Sequence, residues 1–430
     1  MDLEILKDYL RPYYLKWLYF RIWPERRANY LAECWNKPHF PLPAKIPTEP
    51  NELLTHDRHG PDLLFLPMSD WHSRIQRSQH LAMGFGSLGT RCYYLNPHLG
   101  REFPQPYSRW NDARAGLVAP QVLEIHAHLP REPVYHHRML TPRETGRLLN
   151  AVSRLVKSGA AGKVIQFVSF PLWAPLAERL KREFGFPVVY DCHDLLSGFR
   201  DISSEIVAAE PALFENADLV CFSSQRLLTE AVRDHPIVRE KSLVVRNAVN
   251  PDDYSGVAPR ERSGTPTIGY AGSLNFWFDA EAIRKAALRH PEWHFSLVGR
   301  VESESLRQLA SLPNVILEGE VPYSELPRRM AAFDVAVIPF LKMPLTLATN
   351  PLKLYEYLCL GIPIVSTRLP ETEPFDGLVY LSENADDFVR LLEVAVAHDD
   401  PSLPARRKVA AESNSWRARC EQLSRRFESL

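Results

Sequence analysis

The chain has 430 residues, 45% of them hydrophobic and 24% charged, which is enough to bury a large core and points to two or three domains. Its 51 Lys and Arg nearly balance 52 Asp and Glu, for a formal charge of −1, so no overall field draws it to nucleic acid and any anion must be held by a local cluster. The six cysteines are scattered, with no CxxC and no zinc-like spacing, which argues against a disulfide framework and for a reducing compartment.

At the start of the chain, Asp2, Glu4, Lys7 and Asp8 interrupt the apolar core that a leader peptide needs. No run of about 18 apolar residues occurs, so the cytoplasm is the expected location. Residues 11–27, RPYYLKWLYFRIWPERR, interleave aromatics with Arg11, Lys16, Arg21, Arg26 and Arg27. That mixture suits a helix at a membrane interface, and equally one that packs its aromatic face on the body of the protein. A proline-rich linker, KPHFPLPAKIPTEP, closes this extension, assigned to residues 1–55.

From residue 56 to 255, strand-like runs DLLFLP, RCYYL, VLEIHA, KVIQFVS, PVVYD, DLVCFSS and SLVVRN alternate with helical patterns such as SRIQRSQHLAMGF and APLAERLKREF. The stretch NPDDYSGVAPRERSGTP breaks the pattern, which restarts over residues 262–402 as TIGYAG, WHFSLVG, NVILEG, DVAVIPF, IPIVS and GLVYL. Residues 403–430 read as a final helical segment. The alternation predicts an α/β protein of two doubly wound, Rossmann-like domains facing a cleft, each a parallel sheet covered on both faces. In that architecture ligands meet the carboxyl ends of the strands.

Candidate residues are therefore sought at strand ends. After the first strand, residues 69–81 (SDWHSRIQRSQHL) hold Trp71, His72, Arg74 and Arg77, an aromatic and cationic set suited to a sugar or an anionic acceptor. After PVVYD come His193 and Asp194, which fit a capping turn, or a contact to a sugar hydroxyl or a proton-handling pair. The histidines in EIHAHLPREPVYHHR lack a carboxylate or cysteine framework, so no metal site is read there. In the second half, Gly272 and Ser273 follow TIGYA as a packing turn or an anion-binding one, Arg300 ends WHFSLVG, and backbone at Val321 and Pro322 could frame a flat base.

The stretch TNPLKLYEYLCLGIPIVS predicts a short helix with Asn350 as its cap, Pro351 in its first turn and Gly361 as its stop. Lys353 and Glu356 are three apart on one face. By itself this is a solvated ion pair; at a cleft, the carboxylate could accept ribose hydroxyls while Lys353 and the helix N-terminus, with Thr349 and Asn350, face phosphates.

The runs YDCHD, ADLVCFSSQRL, VVRNAV, IGYAGSLNFWFD, FSLVGR, PNVILEGEVPYSELPRRMAAFDVAVIPF and NPLKLYEYLCLGIPIVST occur in this order. Together they resemble the retaining nucleotide-sugar glycosyltransferases of the GT-B fold, the group called glycosyltransferase family 4 or glycosyl transferases group 1, in the branch that builds bacterial surface polysaccharides. The resemblance implies a hexosyltransferase acting on a nucleotide sugar and a glycan or lipid-linked acceptor, with no metal or other cofactor and no nucleic acid. Glu356 matches the second glutamate of the E-x7-E motif and would hold the ribose. Lys353 and Arg300 would face the diphosphate, the backbone after Glu320 would read the base, and His193 would approach the transferred sugar. The final helix would cross back to the first domain, and residues 11–27 are a candidate contact to the inner face of the cytoplasmic membrane. Ala348 stands where the first glutamate of the motif is expected, SDWHSRIQR replaces a glycine-rich loop, and the basic pair after GYAGS is absent. An epimerase or hydrolase on the same fold, and a degenerate binding or scaffold module, are the rival readings.

Overall fold

In a computed structural model of the chain, the described residues are 60–71, 74–97, 114–127, 129, 136–159, 163–260 and 264–430. The assigned extension and its aromatic-basic run at residues 11–27 lie outside them, as does His72.

Two sheets organise the described residues. The first contains β1 (Asp62–Leu66), β2 (Cys92–Leu95), β3 (Arg114–Ala119), β4 (Val122–His126), β5 (Val164–Val168), β6 (Val188–Cys192), β7 (Leu219–Phe222) and β8 (Ser242–Val244). Its spatial order is β3-β4-β2-β1-β5-β6-β7-β8. The second contains β9 (Thr267–Ala271), β10 (His294–Val298), β11 (Val315–Gly319), β12 (Val335–Ile338), β13 (Ile364–Thr367) and β14 (Tyr380–Ser382), in the order β11-β10-β9-β12-β13-β14. All pairings are parallel except β3 with β4, a hairpin turning through Pro120 and a left-handed Gln121 (φ 60°). β3, RAGLVA, escapes the sequence reading because its run lacks the β-branched density of the buried strands.

The strands are apolar at successive positions because both faces are covered. Leu64 and Leu66 join one buried cluster while Leu63 and Phe65 join another on the opposite face. β12 does the same, sending Val335 and Val337 one way and Ala336 and Ile338 the other. The C-terminal helix Trp416–Phe427 lays Trp416, Cys420, Leu423 and Phe427, one helical stripe, onto the first sheet and the helix Arg77–Ser87. Contact is so close that a Cβ on Gly84 would come within 2.7 Å of Cys420 Sγ. Each large apolar side chain buried this way contributes about 1.5–3 kcal/mol, so this last segment is stapled to the first half.

The halves meet along a polar seam. Ser224 Oγ donates to Ala348 O (2.6 Å), Gln225 N donates to Glu371 Oε1 (2.9 Å), and Arg246 pairs with Glu371 Oε2 (2.7 Å). Farther along, Arg74 Nε reaches Glu320 Oε1 (2.6 Å), Phe199 meets Trp277 edge-on and Arg200 lies over Phe276 at 4.2 Å.

Candidate active site

The helix Leu352–Leu360 starts at Pro351, whose fixed φ suits a helix entrance, and stops at Gly361 in the left-handed conformation (φ 75°). Asn350 is not its cap. Its buried side chain instead accepts from Asn247 N (2.8 Å) and donates to Tyr355 Oη and Glu371 Oε2 (3.0 Å each). These bonds use both side-chain N–H donors, so Asn350 clamps the two halves and its side chain has no donor left for a diphosphate. Thr349 is similarly engaged, its hydroxyl donating to Leu345 O (2.8 Å).

Lys353 and Glu356 form the expected i,i+3 pair, Nζ to Oε2 at 2.6 Å, but it is not a solvated one. Glu356 is only 1% exposed, because the helix is apolar on both sides and packs Leu354, Tyr355, Tyr357 and Leu358 inward. Oε1 has no partner, and Oε2 has only Lys353. A buried carboxylate normally fills its acceptor sites, and leaving one empty costs about 1–3 kcal/mol or more. The Tyr254 hydroxyl is also buried without a partner, and burial, then the Glu356 charge, push its pKa well up, keeping it protonated.

Tyr254 and Tyr323 lie within electrostatic reach of this carboxylate. At the end of β10, Gly299 (φ 145°) passes so near Gly272 that a Cβ would lie 1.8 Å from the Gly272 carbonyl oxygen. Only glycine allows these two strand ends to touch. Ser273 Oγ donates to Glu302 Oε2 (3.3 Å), and the largely exposed Arg300 pairs loosely with the same carboxylate (3.3 Å). Pro322 opens a short 3-10 turn, and Tyr323 just beyond it donates to Asp253 Oδ2 (2.7 Å). Val321 and Pro322 stay partly accessible beside it.

In the first half, His193 is held by Asp191 O, 3.0 Å from Nδ1. That carbonyl can only accept, so Nδ1 carries a proton, and Nε2 stands 3.7 Å from Asp194 Oδ2. Lost solvation raises the Asp194 pKa against the opposing pull of His193 and Arg77.

The acceptor-side set is corrected in part. Arg77 is buried, its Nε and Nη2 on Asp191 and its Nη1 on Asn247 (3.0 Å), so it ties strand β6 to the seam and cannot meet a ligand. Trp71 is fully buried and packs edge-on against Tyr94 (4.8 Å), as core. Of the four, Arg74 alone is described at the cleft edge. Ala348 is enclosed among apolar residues of the first half, so no carboxylate stands where the motif expects one.

Sequence reasoning passed over His80, Tyr254, Tyr323 and Glu371. Tyr254 ends the NPDDY break and Tyr323 follows Pro322, so position next to a strand end or linker was the available signal. Among the described residues no group of three or more His, Cys, Asp or Glu could hold a metal, and no helix is long and apolar enough to cross a membrane.

Comparison with known proteins bears on the fold and on the second half of the chain. Residues 265–397 match the family described as Glycosyl transferases group 1. The chain is 30% identical over 260 residues to TuaH of Bacillus subtilis, described as a teichuronic acid biosynthesis glycosyltransferase, a match over 55% of this chain and 65% of that relative's length. In structure it is similar to sucrose-phosphate synthase of Thermosynechococcus elongatus (TM-score 0.65, 15% identity, 86% of this chain and 99% of that one). It is also similar to Anabaena HepE in complex with UDP-glucose (TM-score 0.62, 14% identity, 86% and 100%). The chain thus has the GT-B fold, and its residues 265–397 are similar to the glycosyl transferases group 1 family.

Proposed function

We propose that the chain moves a sugar from a nucleotide-sugar donor to a glycan or lipid-linked acceptor in bacterial polysaccharide synthesis, with retention and without metal. The observation that carries this reading is Glu356, a buried carboxylate of the second half with an empty acceptor site. A ribose supplies the two adjacent hydroxyl donors that such a carboxylate lacks.

With the pentose on Glu356, the diphosphate extends toward Lys353, the N-terminus of the helix Leu352–Leu360 and the backbone at Ser273, with Arg300 at the rim; the Gly272 N–H, expected to share this role, is given to Val298 O (2.9 Å). As the bond from the anomeric carbon to the phosphate oxygen breaks, the electron pair stays on that oxygen. These cations and amides favour the charge that builds there. The acceptor hydroxyl bonds to the anomeric carbon and its proton passes to the departing phosphate. His193 and Asp194 position the transferred ring by its hydroxyls in place of the missing glutamate.

The first half receives the acceptor, and residues 11–27 bring the protein to the inner membrane face, where a lipid-linked acceptor would lie. Liposome flotation with and without residues 1–35 tests that placement; equal flotation sinks it. A thermal-shift panel of UDP, GDP, dTDP and their sugars tests the donor reading, since a ligand at about 100 times its Kd stabilises by about 2.7 kcal/mol. Failure of every nucleotide to raise Tm would overturn it, and turnover of donor without an acceptor would favour a hydrolase. Transfer that persists in EDTA is expected for the metal-free chemistry.

A further inference from the structure

His80 is contributed by the first half, one turn into the helix Arg77–Ser87, yet it is only 3% exposed and faces the second. Its ring stacks on Trp416 of the C-terminal helix (centroids 5.1 Å apart, planes 10° apart) and meets Tyr323 edge-on at 5.5 Å. Two walls fix the imidazole plane, and neither uses a ring nitrogen. Nε2 is buried with no hydrogen-bond partner. It shares this condition with Glu356 Oε1 and Tyr254 Oη. Tyr323 links the three, touching the His80 ring and lying within electrostatic reach of Glu356.

We propose that His80 is a ribose contact of the nucleotide pocket, its Nε2 meeting a pentose hydroxyl while Glu356 holds the sugar from the other half. The inference rests on the nucleotide-sugar reading above and names a specificity residue for that same site. Burial, and next the Lys353 charge, lower the imidazole pKa to about 3, so it is neutral at physiological pH. A neutral ring nitrogen is a poor match for a phosphate anion. It is a good match for a hydroxyl, which can donate or accept and so suits either tautomer. A pocket built from both halves also means that the pentose is read only when the seam is closed.

The test is calorimetric titration of the full chain with UDP and GDP, each against its 2′,3′-dideoxy counterpart. His80→Phe keeps the stack on Trp416 and removes the nitrogens. It is expected to weaken the tighter-binding ribonucleotide about tenfold and to leave the dideoxy form unchanged, a loss typical of one removed hydrogen bond. His80→Gln places an amide near the Nε2 position and is expected to keep most of the preference for the ribonucleotide. Equal losses for both nucleotides, or no loss in either variant, would overturn the assignment. Wild-type protein that binds neither nucleotide would instead overturn the donor reading itself, so the two failures are distinguishable. If the Phe variant does not fold, His80→Ala takes its place: an unchanged preference for the ribonucleotide there, with an unchanged melting profile, overturns the proposal.

Discussion

The two halves each bury a carboxylate near the end of a central strand layer, and they treat it in opposite ways. In the first half, Asp191 is enclosed and receives three contacts from the Arg77 guanidinium, which is itself buried. In the second, Glu356 is as deeply enclosed but has a single ion-pair partner and one oxygen with none. A buried charge with a full set of partners is framework; a buried charge with an empty position is the one proposed above to meet a ligand. Arg77 and Lys353 look alike, each a cation in the first turn of a helix, and only the state of their carboxylates separates them.

The largest expected effect breaks the framework side of the comparison. Arg77→Ala leaves Asp191 buried and unpaired, and urea denaturation should show a loss of about 3–5 kcal/mol; a loss under 1 kcal/mol would mean that this pair is not the lock described. On the ligand side, Glu356→Ala should leave the melting temperature of the free protein within a few degrees, because it breaks one ion pair, whose Lys353 still reaches solvent, and removes a buried oxygen that has no partner. The nucleotide shift should vanish with it, a loss of roughly 2–3 kcal/mol in binding, as expected for charge-assisted hydrogen bonds. An unchanged shift would remove the ribose assignment.

The next effect is in pH. Below about pH 6.5 the unfolded chain protonates His80 freely, whereas the folded chain keeps it neutral down to about pH 3. The unfolded state therefore binds more protons in that window, and stability falls as the solution is acidified. Between pH 7 and 5 this histidine alone should cost about 2 kcal/mol, a dependence that His80→Phe removes in denaturation curves taken at both values. Smallest of all is Arg74→Ala, which deletes a partly exposed ion pair to Glu320 and should change stability by no more than about 1 kcal/mol. A larger loss would make that pair a clasp of the seam.

Much of the fold was legible because it is local. Apolar runs punctuated by Gly, Pro and Asn marked all the strands of both halves except β3, and Gly361 stopped its helix where the chain had to turn left-handed. Spacing placed Lys353 and Glu356 on one face. Asn350, Arg77 and Trp71 were misread because their partners lie far away in the chain: Arg77 meets Asp191, Asn350 meets Asn247, and Trp71 meets Tyr94. A period of 3.6 or 2 says which side of an element a residue is on, and nothing about what stands opposite.

The sequence by itself determined the α/β alternation, the division into two similar halves and the strand ends at which polar residues gather. Tertiary structure decided which of those polar residues are used up by the fold and which remain open. The reason is physical: backbone periodicity and turn chemistry act over a few residues, whereas burial and hydrogen-bond satisfaction are properties of the packed seam. At that seam Asn350 is filled, Arg77 is filled, and Glu356 and His80 still have a position to offer.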